Sequence, residues 1–259
     1  MSSELRPSSP RGDRPLTLIT GGTRGIGAAT ALRLAEAGHD LVLGFRGDVA
    51  AAEHCRRLVQ EAGARCIVVR ADLTDAAGVD RLFTDAAEAG LLTGVVSNAG
   101  ATLHLGPLAE TPVDVVRRTV ELNLTAALLV ARSAVRTMGT SYGGSGGVLV
   151  NVGSIASRLG SPGEYVHYAA AKAGVEAFTR GLAYEVAGEG IRVVAAAPGV
   201  VRTRIHADAG YPTRADRLSA TIPLGRAAEP AEVAEAIAWL LSERASYITG
   251  STVELSGGR

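Results

Sequence analysis

Short apolar runs alternate along this chain with longer stretches in which apolar positions recur every three or four residues. The runs Leu16–Thr20, Leu41–Phe45, Cys66–Arg70, Gly147–Val152, Ile191–Ala197 and Thr252–Leu255 predict strands. A further run, Val95-Val96, leads into Ser97-Asn98-Ala99-Gly100. Such runs, with few polar residues between the apolar ones, fit strands covered on both faces of a sheet. Helices are predicted from the glycine turn near Gly25 to about Ala37, and over Val49–Ala62, Asp75–Ala89, Val113–Met138, Glu164–Ala187 and Ala231–Leu241. Strand and helix in alternation, punctuated by glycine turns, imply an α/β fold: one doubly wound, mainly parallel sheet with helices on both faces. Residues 1–14 carry Pro, Ser and charge without periodicity and are expected to form a disordered tail. That leaves 15–259 as a single domain, with no linker and no repeat.

Composition sharpens this picture only at a few points. Apolar residues make up 47% of the chain and aromatics 4%, so the core must be built from Ala, Val and Leu. A formal net charge of zero argues against nucleic acid or an acidic membrane surface as a partner. With no apolar run approaching about eighteen residues and no signal peptide, a cytoplasmic setting is expected. Cys55 and Cys66 lack the spacing of a metal site or disulfide frame and read as ordinary thiols.

The first strand runs directly into Gly21-Gly22-Thr23-Arg24-Gly25-Ile26-Gly27 and then a helix. Strand, glycine turn and helix in that order form the phosphate-binding opening of a dinucleotide fold. Gly21 lets the chain turn, Gly25 lets backbone approach a pyrophosphate, and Gly27 allows close helix–strand contact. The second strand ends on Arg46. At that place an acid selects the 2′-hydroxyl of NAD, whereas an arginine accommodates the 2′-phosphate of NADP. Arg46, with Arg24 as a second cation, therefore favours NADPH, with NADH open; the alternative is a surface charge paired with Asp48.

Candidate chemistry concentrates in Asn151–Lys172. The chain carries 26 Lys+Arg, and Lys172 is the sole lysine, four residues after Tyr168. Such a pair shares one face of a helix. A cation ~4 Å from a phenol at an effective dielectric of ~20 favours the phenolate by up to about 4 kcal/mol. That would bring a group with a pKa of ~10 toward the range of a useful general acid or base. Ser154 lies in the loop just before this pair.

With Thr20-Gly21-x-x-x-Gly25-x-Gly27, Asp72, Asn98-Ala99-Gly100, Asn123, Ser154, Tyr168-x-x-x-Lys172 and Pro198-Gly199 in order, the chain resembles the short-chain dehydrogenase/reductase family from Leu16 to Gly258. It is similar to the branch whose chains are about this long, and to 3-oxoacyl reductases and glucose-dehydrogenase-like enzymes within it. The resemblance implies a Rossmann-type sheet of about seven strands, a nicotinamide cofactor, and a homotetramer or homodimer formed through helices 113–138 and 164–187. It implies that Tyr168 exchanges the proton with the substrate oxygen and that Ser154 holds that oxygen. Lys172 would bind the nicotinamide ribose and lower the Tyr168 pKa, and Asn123 would place a relay water. Asp72 would meet the adenine amine, Asn98 would fix the strand beside the cofactor, and Thr203 would meet the carboxamide. Thr23, Ile26, Leu73, Ala99, Gly100, Val201 and the Pro198-Gly199 turn complete the implied cofactor lining. Singly, Asp72 also reads as a helix cap, Asn123 as a helix bend and Ser154 as a turn residue. Ser97 and Val194 depart from the asparagines frequent in the family.

In an open α/β sheet the ligand crevice lies beyond the carboxyl ends of the strands. Candidate substrate contacts are therefore His104, Ser154, Tyr165 and Arg204. Residues 202–221 resemble the family's substrate lid. Arg202, Arg204, His206, Arg214 and Arg217 in it could meet an anion, although with Asp208 and Asp216 interspersed the segment reads first as a solvated surface. The expected activity is NADPH-dependent reduction of a ketone or aldehyde, reversible as alcohol oxidation. An NAD-dependent alcohol or polyol dehydrogenase is the alternative, and a nucleotide-sensing protein without catalysis a third reading.

Overall fold

Parallel neighbours cannot be joined by a tight hairpin, so each strand must be followed by a crossover. The computed structural model, which describes residues 14–259, meets this requirement throughout. Seven strands, β1 (Leu16–Thr20), β2 (Asp40–Phe45), β3 (Cys66–Arg70), β4 (Leu92–Ser97), β5 (Gly147–Val152), β6 (Ile191–Pro198) and β7 (Thr252–Leu255), form one sheet. The order across it is β3-β2-β1-β4-β5-β6-β7, with every pair parallel. The helices are α1 (Gly25–Glu36), α2 (Val49–Glu61), α3 (Ala76–Ala89), α4 (Val113–Val120), α5 (Ala126–Met138), α6 (Ala156–Leu159), α7 (Val166–Val186), α8 (Arg214–Ser219) and α9 (Pro230–Leu241).

Successive strand residues point to opposite faces, and the core divides accordingly. Leu18, Val42, Leu149 and Val193 meet Leu82, Val130 and Ala183 from α3, α5 and α7. Their neighbours Ile19, Leu41, Leu43, Val150 and Val194 meet Leu34, Val59 and Ile237 from α1, α2 and α9. Both faces are apolar, which explains the continuous runs in the sequence. Helices α1, α5 and α7 begin without a side-chain cap. A cap is worth about 1 kcal/mol, whereas each fully buried Leu or Val contributes roughly 1.5–3 kcal/mol. Burial, not capping, holds these helices.

Three expectations change here. The long helix over 113–138 is interrupted by a turn of π-helix at Glu121–Thr125, centred on Asn123. The short α6 has too few residues for any periodicity to announce it. Arg14, assigned to the tail, is pinned: it donates to Gly38 O at 2.8 Å and Gly63 O at 2.7 Å and pairs with the buried Asp40. The rest of the expected tail, 1–13, lies outside the described residues.

The strand order reverses between β1 and β4, and ligand crevices of open sheets lie at this point. The loops following β1, β2, β3, β4, β5 and β6 all open at the same edge, and the candidate residues sit in them or on the helices that follow.

Candidate active site

Thr20, fully buried, joins the two strands at the switch point. Its Oγ1 accepts from Asn98 N at 2.9 Å and Ala99 N at 3.1 Å. The Asn98 amide in turn donates to Thr20 O at 3.0 Å and Gly21 O at 3.1 Å, which fixes the glycine turn to the end of β4. A Cβ on Gly27 would lie 2.2 Å from Gly21 O, so glycine alone lets α1 close onto that turn. No side chain caps α1. Its first-turn N–H groups and the positive end of its dipole are thus left for an outside anion.

Beyond this turn, Arg46 is exposed at the end of β2 and takes part in no ion pair among the described residues. Asp48, the partner foreseen for it, instead accepts from Ala51 N at 3.0 Å as the cap of α2 and lies 3.7 Å from Arg24. Asp72 is not a helix cap either; Asp75 fills that role on Ala77 N at 3.1 Å. One Asp72 oxygen accepts from the Thr74 hydroxyl at 2.8 Å and the Thr74 amide at 3.1 Å. Those bonds first, and the charge of Arg46 after them, hold its carboxyl below the usual range.

The chemical end is formed by β5, its loop and α7. Tyr168 and Lys172 are both buried, one helical turn apart, with Lys172 Nζ 5.8 Å from the phenol ring centre. The ammonium donates to Val152 O at 2.8 Å, tying α7 to the end of β5. Burial pulls its pKa down to about 8, against a small upward pull from Glu176. Burial also pushes the Tyr168 phenol above its ordinary value, Tyr165 adds to this, and a hydrogen bond with Ser154 works the other way. The expected depression of the phenol by Lys172 is therefore not what the protein's own groups produce. Desolvation outweighs the Ser154 hydrogen bond, and the phenol is held protonated.

Asn123 lies behind this end. Its amide donates to Ala101 O at 2.8 Å and Thr119 O at 2.9 Å, and its carbonyl accepts from Ala101 N at 3.1 Å. Thus the π-turn holds the loop after β4. A Cβ on Gly100 would lie 2.6 Å from Asn123 Oδ1 and 3.5 Å from Lys172 Nζ.

One cavity of about 1240 Å³ joins these parts. Arg46, Asp72 and Leu73 line one end. Gly21, Thr23, Arg24, Gly25, Ile26, Asn98, Ala99 and Gly100 line the middle, and Ser154, Tyr165, Tyr168 and Lys172 the other end. Pro198, Gly199, Val201, Thr203 and Arg204 form a side wall. Gly27 and Asn123 stand behind the wall as supports. His104 is displaced from the cavity. Leu103 adopts a left-handed conformation (φ 57°), and the ring that follows it lies against Gly106, whose Cβ would be 2.8 Å from Nε2. Leu103 itself lines the cavity in its place. Glu164 escaped the sequence reading, and Arg214, read there only as one of the lid cations that could meet an anion, takes a different part. Glu164 faces the cavity, and Arg214 is buried beneath the lid segment on that carboxylate. Nothing in the local pattern marks Arg214, because its burial depends on a residue fifty positions earlier.

Among the described residues no cluster of His, Cys, Asp and Glu could hold a metal, and no helix is long and apolar enough to cross a membrane. A phosphate cradle at a switch point, sharing one cavity with a buried phenol and ammonium and the half-buried Ser154 hydroxyl, defines a nucleotide-dependent oxidoreductase. Comparison with known proteins agrees. The family model described as enoyl-(acyl carrier protein) reductase matches residues 21–259. The chain is 43% identical over 245 residues to the uncharacterized oxidoreductase YgfF of Escherichia coli, covering 94% of this chain and 99% of that one. It is also 43% identical over 245 residues to cis-4-hydroxycyclohexanecarboxylate dehydrogenase of Sinomonas cyclohexanicum, covering 94% and 95%. A short-chain type dehydrogenase/reductase of Mycobacterium marinum superposes with a TM-score of 0.88 at 29% identity, covering 95% of each chain. The chain belongs to the short-chain dehydrogenase/reductase family, oxidoreductases that act on CH–OH and C=O groups with nicotinamide cofactors.

Proposed function

We propose that this protein is an NADPH-dependent carbonyl reductase in which Tyr168 is the general acid and Ser154 the group that holds the carbonyl oxygen. The observation that carries the reading is the buried phenol at one end of a cavity that has Arg46 at its opposite end and Arg24 on the glycine turn. The cradle fits a dinucleotide. The first-turn N–H groups of α1 would take the pyrophosphate, Asp72 the adenine amine, and Arg46 with Arg24 the 2′-phosphate. Lys172 would meet the nicotinamide ribose and Thr203 the carboxamide. When bound, the nicotinamide supplies the hydride that reduces the carbonyl carbon.

The chain's own groups do the rest. The Ser154 hydroxyl orients the carbonyl oxygen toward the phenol. Tyr168 Oη gives that oxygen its proton as negative charge develops there, and the Lys172 ammonium stabilises the phenolate left behind. In the reverse direction the phenolate takes the alcohol proton. Leu103, Leu159 and Tyr165 present apolar walls, which suit a ring or aliphatic ketone. The relative named for a hydroxycyclohexanecarboxylate supports that choice. The assembly in this reading is a homotetramer or homodimer through α4, α5 and α7, where Val113, Leu128 and Tyr184 are exposed. The setting is the cytoplasm.

NAD-linked alcohol oxidation remains as a second reading because Asp48 brings a carboxylate within 3.7 Å of Arg24, at the end assigned to the 2′-phosphate. The test is a panel of carbonyl compounds followed by NADPH absorbance, with NADPH and NADH affinities read by nicotinamide fluorescence. Reduction with NADPH preferred is expected; a clear NADH preference would overturn the Arg46 argument. In Tyr168→Phe the rate should fall by roughly 10²–10⁴-fold while cofactor binding survives. Full activity in that variant removes Tyr168 from the mechanism.

A further inference from the structure

Arg214 is an arginine where the segment's pattern announces solvent, yet it is 2% exposed. Its guanidinium donates to both oxygens of Glu164, at 2.7 and 2.5 Å, and to the Tyr165 hydroxyl at 3.2 Å. The same group lies 5.2 Å from the Tyr165 ring centre. Tyr165 stands edge-on to Tyr168, with ring centres 5.4 Å apart and planes at 89°. The contact chain therefore runs from the 202–221 segment through a two-point fork to a ring that touches the catalytic phenol.

Glu164 also holds the opposite wall, since its backbone carbonyl accepts from Gly106 N at 2.6 Å. Two further bonds tie the segment to that wall: Thr102 Oγ1 donates to Ile205 O at 3.2 Å, and Tyr211 Oη donates to Leu105 O at 3.2 Å. Ala209 from the same segment rests on the cluster that contains Leu105, Tyr165 and Tyr168. Two other arginines of the segment make exposed ion pairs: Arg202 with Asp216 and with Glu229 beyond the segment, and Arg204 with Asp208. Among these ion pairs only that of Arg214 has its arginine buried, at 1% side-chain exposure against 42% for Arg202 and 72% for Arg204. A fork clamped on a carboxylate restrains both position and orientation, which a point charge does not.

We propose that Arg214 is a positioning residue that, through Glu164 and Tyr165, holds the 202–221 segment over the cavity and sets the wall against which the carbonyl substrate is aligned. The inference rests on the reductase reading for its kinetic part only. Removing the fork leaves the glycine turn and Arg46 in place, and of the proposed cofactor contacts only Thr203 lies in the segment that is freed. It frees the Tyr165 ring and the segment, so that substrate is held less often in the reactive geometry.

The test compares the wild type with Arg214→Lys, Arg214→Met and Arg214→Met/Glu164→Met, the double variant leaving no unpaired charge. Native-state trypsin digestion reads the clamp directly, since Arg204 and Arg217 are cleavage sites within the segment. Cleavage there should speed up by about tenfold or more in every variant, with sites outside the segment unchanged. With a carbonyl that the wild type reduces, KM should rise and kcat/KM fall by on the order of ten- to a hundredfold. The NADPH dissociation constant should rise by less than kcat/KM falls, because Thr203 is the one proposed cofactor contact in the segment. The double variant should regain thermal stability without regaining kcat/KM. Unchanged trypsin cleavage, or recovery of stability and kcat/KM together in the double variant, overturns the proposal. Faster cleavage in a protein whose wild type reduces no carbonyl overturns the reductase reading and leaves the clamp standing.

Discussion

Lys172 shows how far a single residue type can carry a conclusion and where it stops. Its uniqueness and its spacing from Tyr168 were visible in the letters alone. Its electrostatic effect was not, because the sign of the shift on the phenol depends on how much water both groups lose. Burial raises the phenol and lowers the ammonium to about 8. Two consequences follow at neutral pH: the phenol is protonated, as a proton donor must be, and the ammonium is charged but close to losing its proton. For carbonyl reduction, kcat/KM should therefore decline as pH rises past about 8, when the cation that stabilises the departing phenolate is lost. A pH–rate profile flat to pH ~10 would assign the ammonium no part in the step. Asp72 teaches the same lesson from the other side. The sequence offered Asp72 as the cap of a helix starting at Asp75, and only coordinates show that Asp75 itself caps α3.

At the level of elements, the interruption between α4 and α5 is the departure with most bearing on the site. A π-turn widens the helix by one residue, and such turns are frequent at functional sites. Here the widened turn aims the Asn123 amide at the loop after β4. Gly100 is the matching half of this contact. In Gly100→Ala the new methyl would sit 2.6 Å from Asn123 Oδ1, whose amide is held by three backbone bonds and has no room to retreat. A cost of about 1–3 kcal/mol in stability is expected from overpacking of this kind. Activity should fall with it, because the same methyl points toward Lys172 Nζ. A variant with unchanged melting temperature and turnover would show that the loop adapts and that the π-turn does not govern it.

Across the whole molecule, one buried imidazole, His167, and two half-buried ones, His39 and His206, set an acid limit to stability. His206 is pulled down to about 4 by burial first and Arg214 second, with Glu164 pulling weakly upward. His167 is lowered by burial and then His104, and His39 by burial and then Arg14, with Asp40 opposing. In the unfolded chain these rings titrate near ~6.5. Between that value and their folded values the unfolded state binds more protons, so stability must fall as pH falls through this window. The carboxylates held low by arginines, Glu164 and Glu232, add the same sign only below about pH 4.3. The melting temperature should hold above pH ~6.5 and drop from there to about pH 4, and His206→Gln should flatten that drop. A melting temperature constant between those pH values would show that the rings are protonated without cost.

By itself the sequence determined the order of elements, the two-faced sheet, the glycine cradle and the Ser154, Tyr168 and Lys172 set. These are local patterns: period, turn chemistry and spacing along one helix are written in neighbouring letters. Tertiary structure alone decided which charge is buried and which faces water. It drew Arg214 out of a mixed-charge surface onto Glu164, paired Asp48 with Arg24 in place of Arg46, and turned His104 away from the cavity at Leu103. Each of these outcomes depends on residues that meet only after the sheet has formed. Desolvation and ion pairing act through space, and no window along the chain contains both partners.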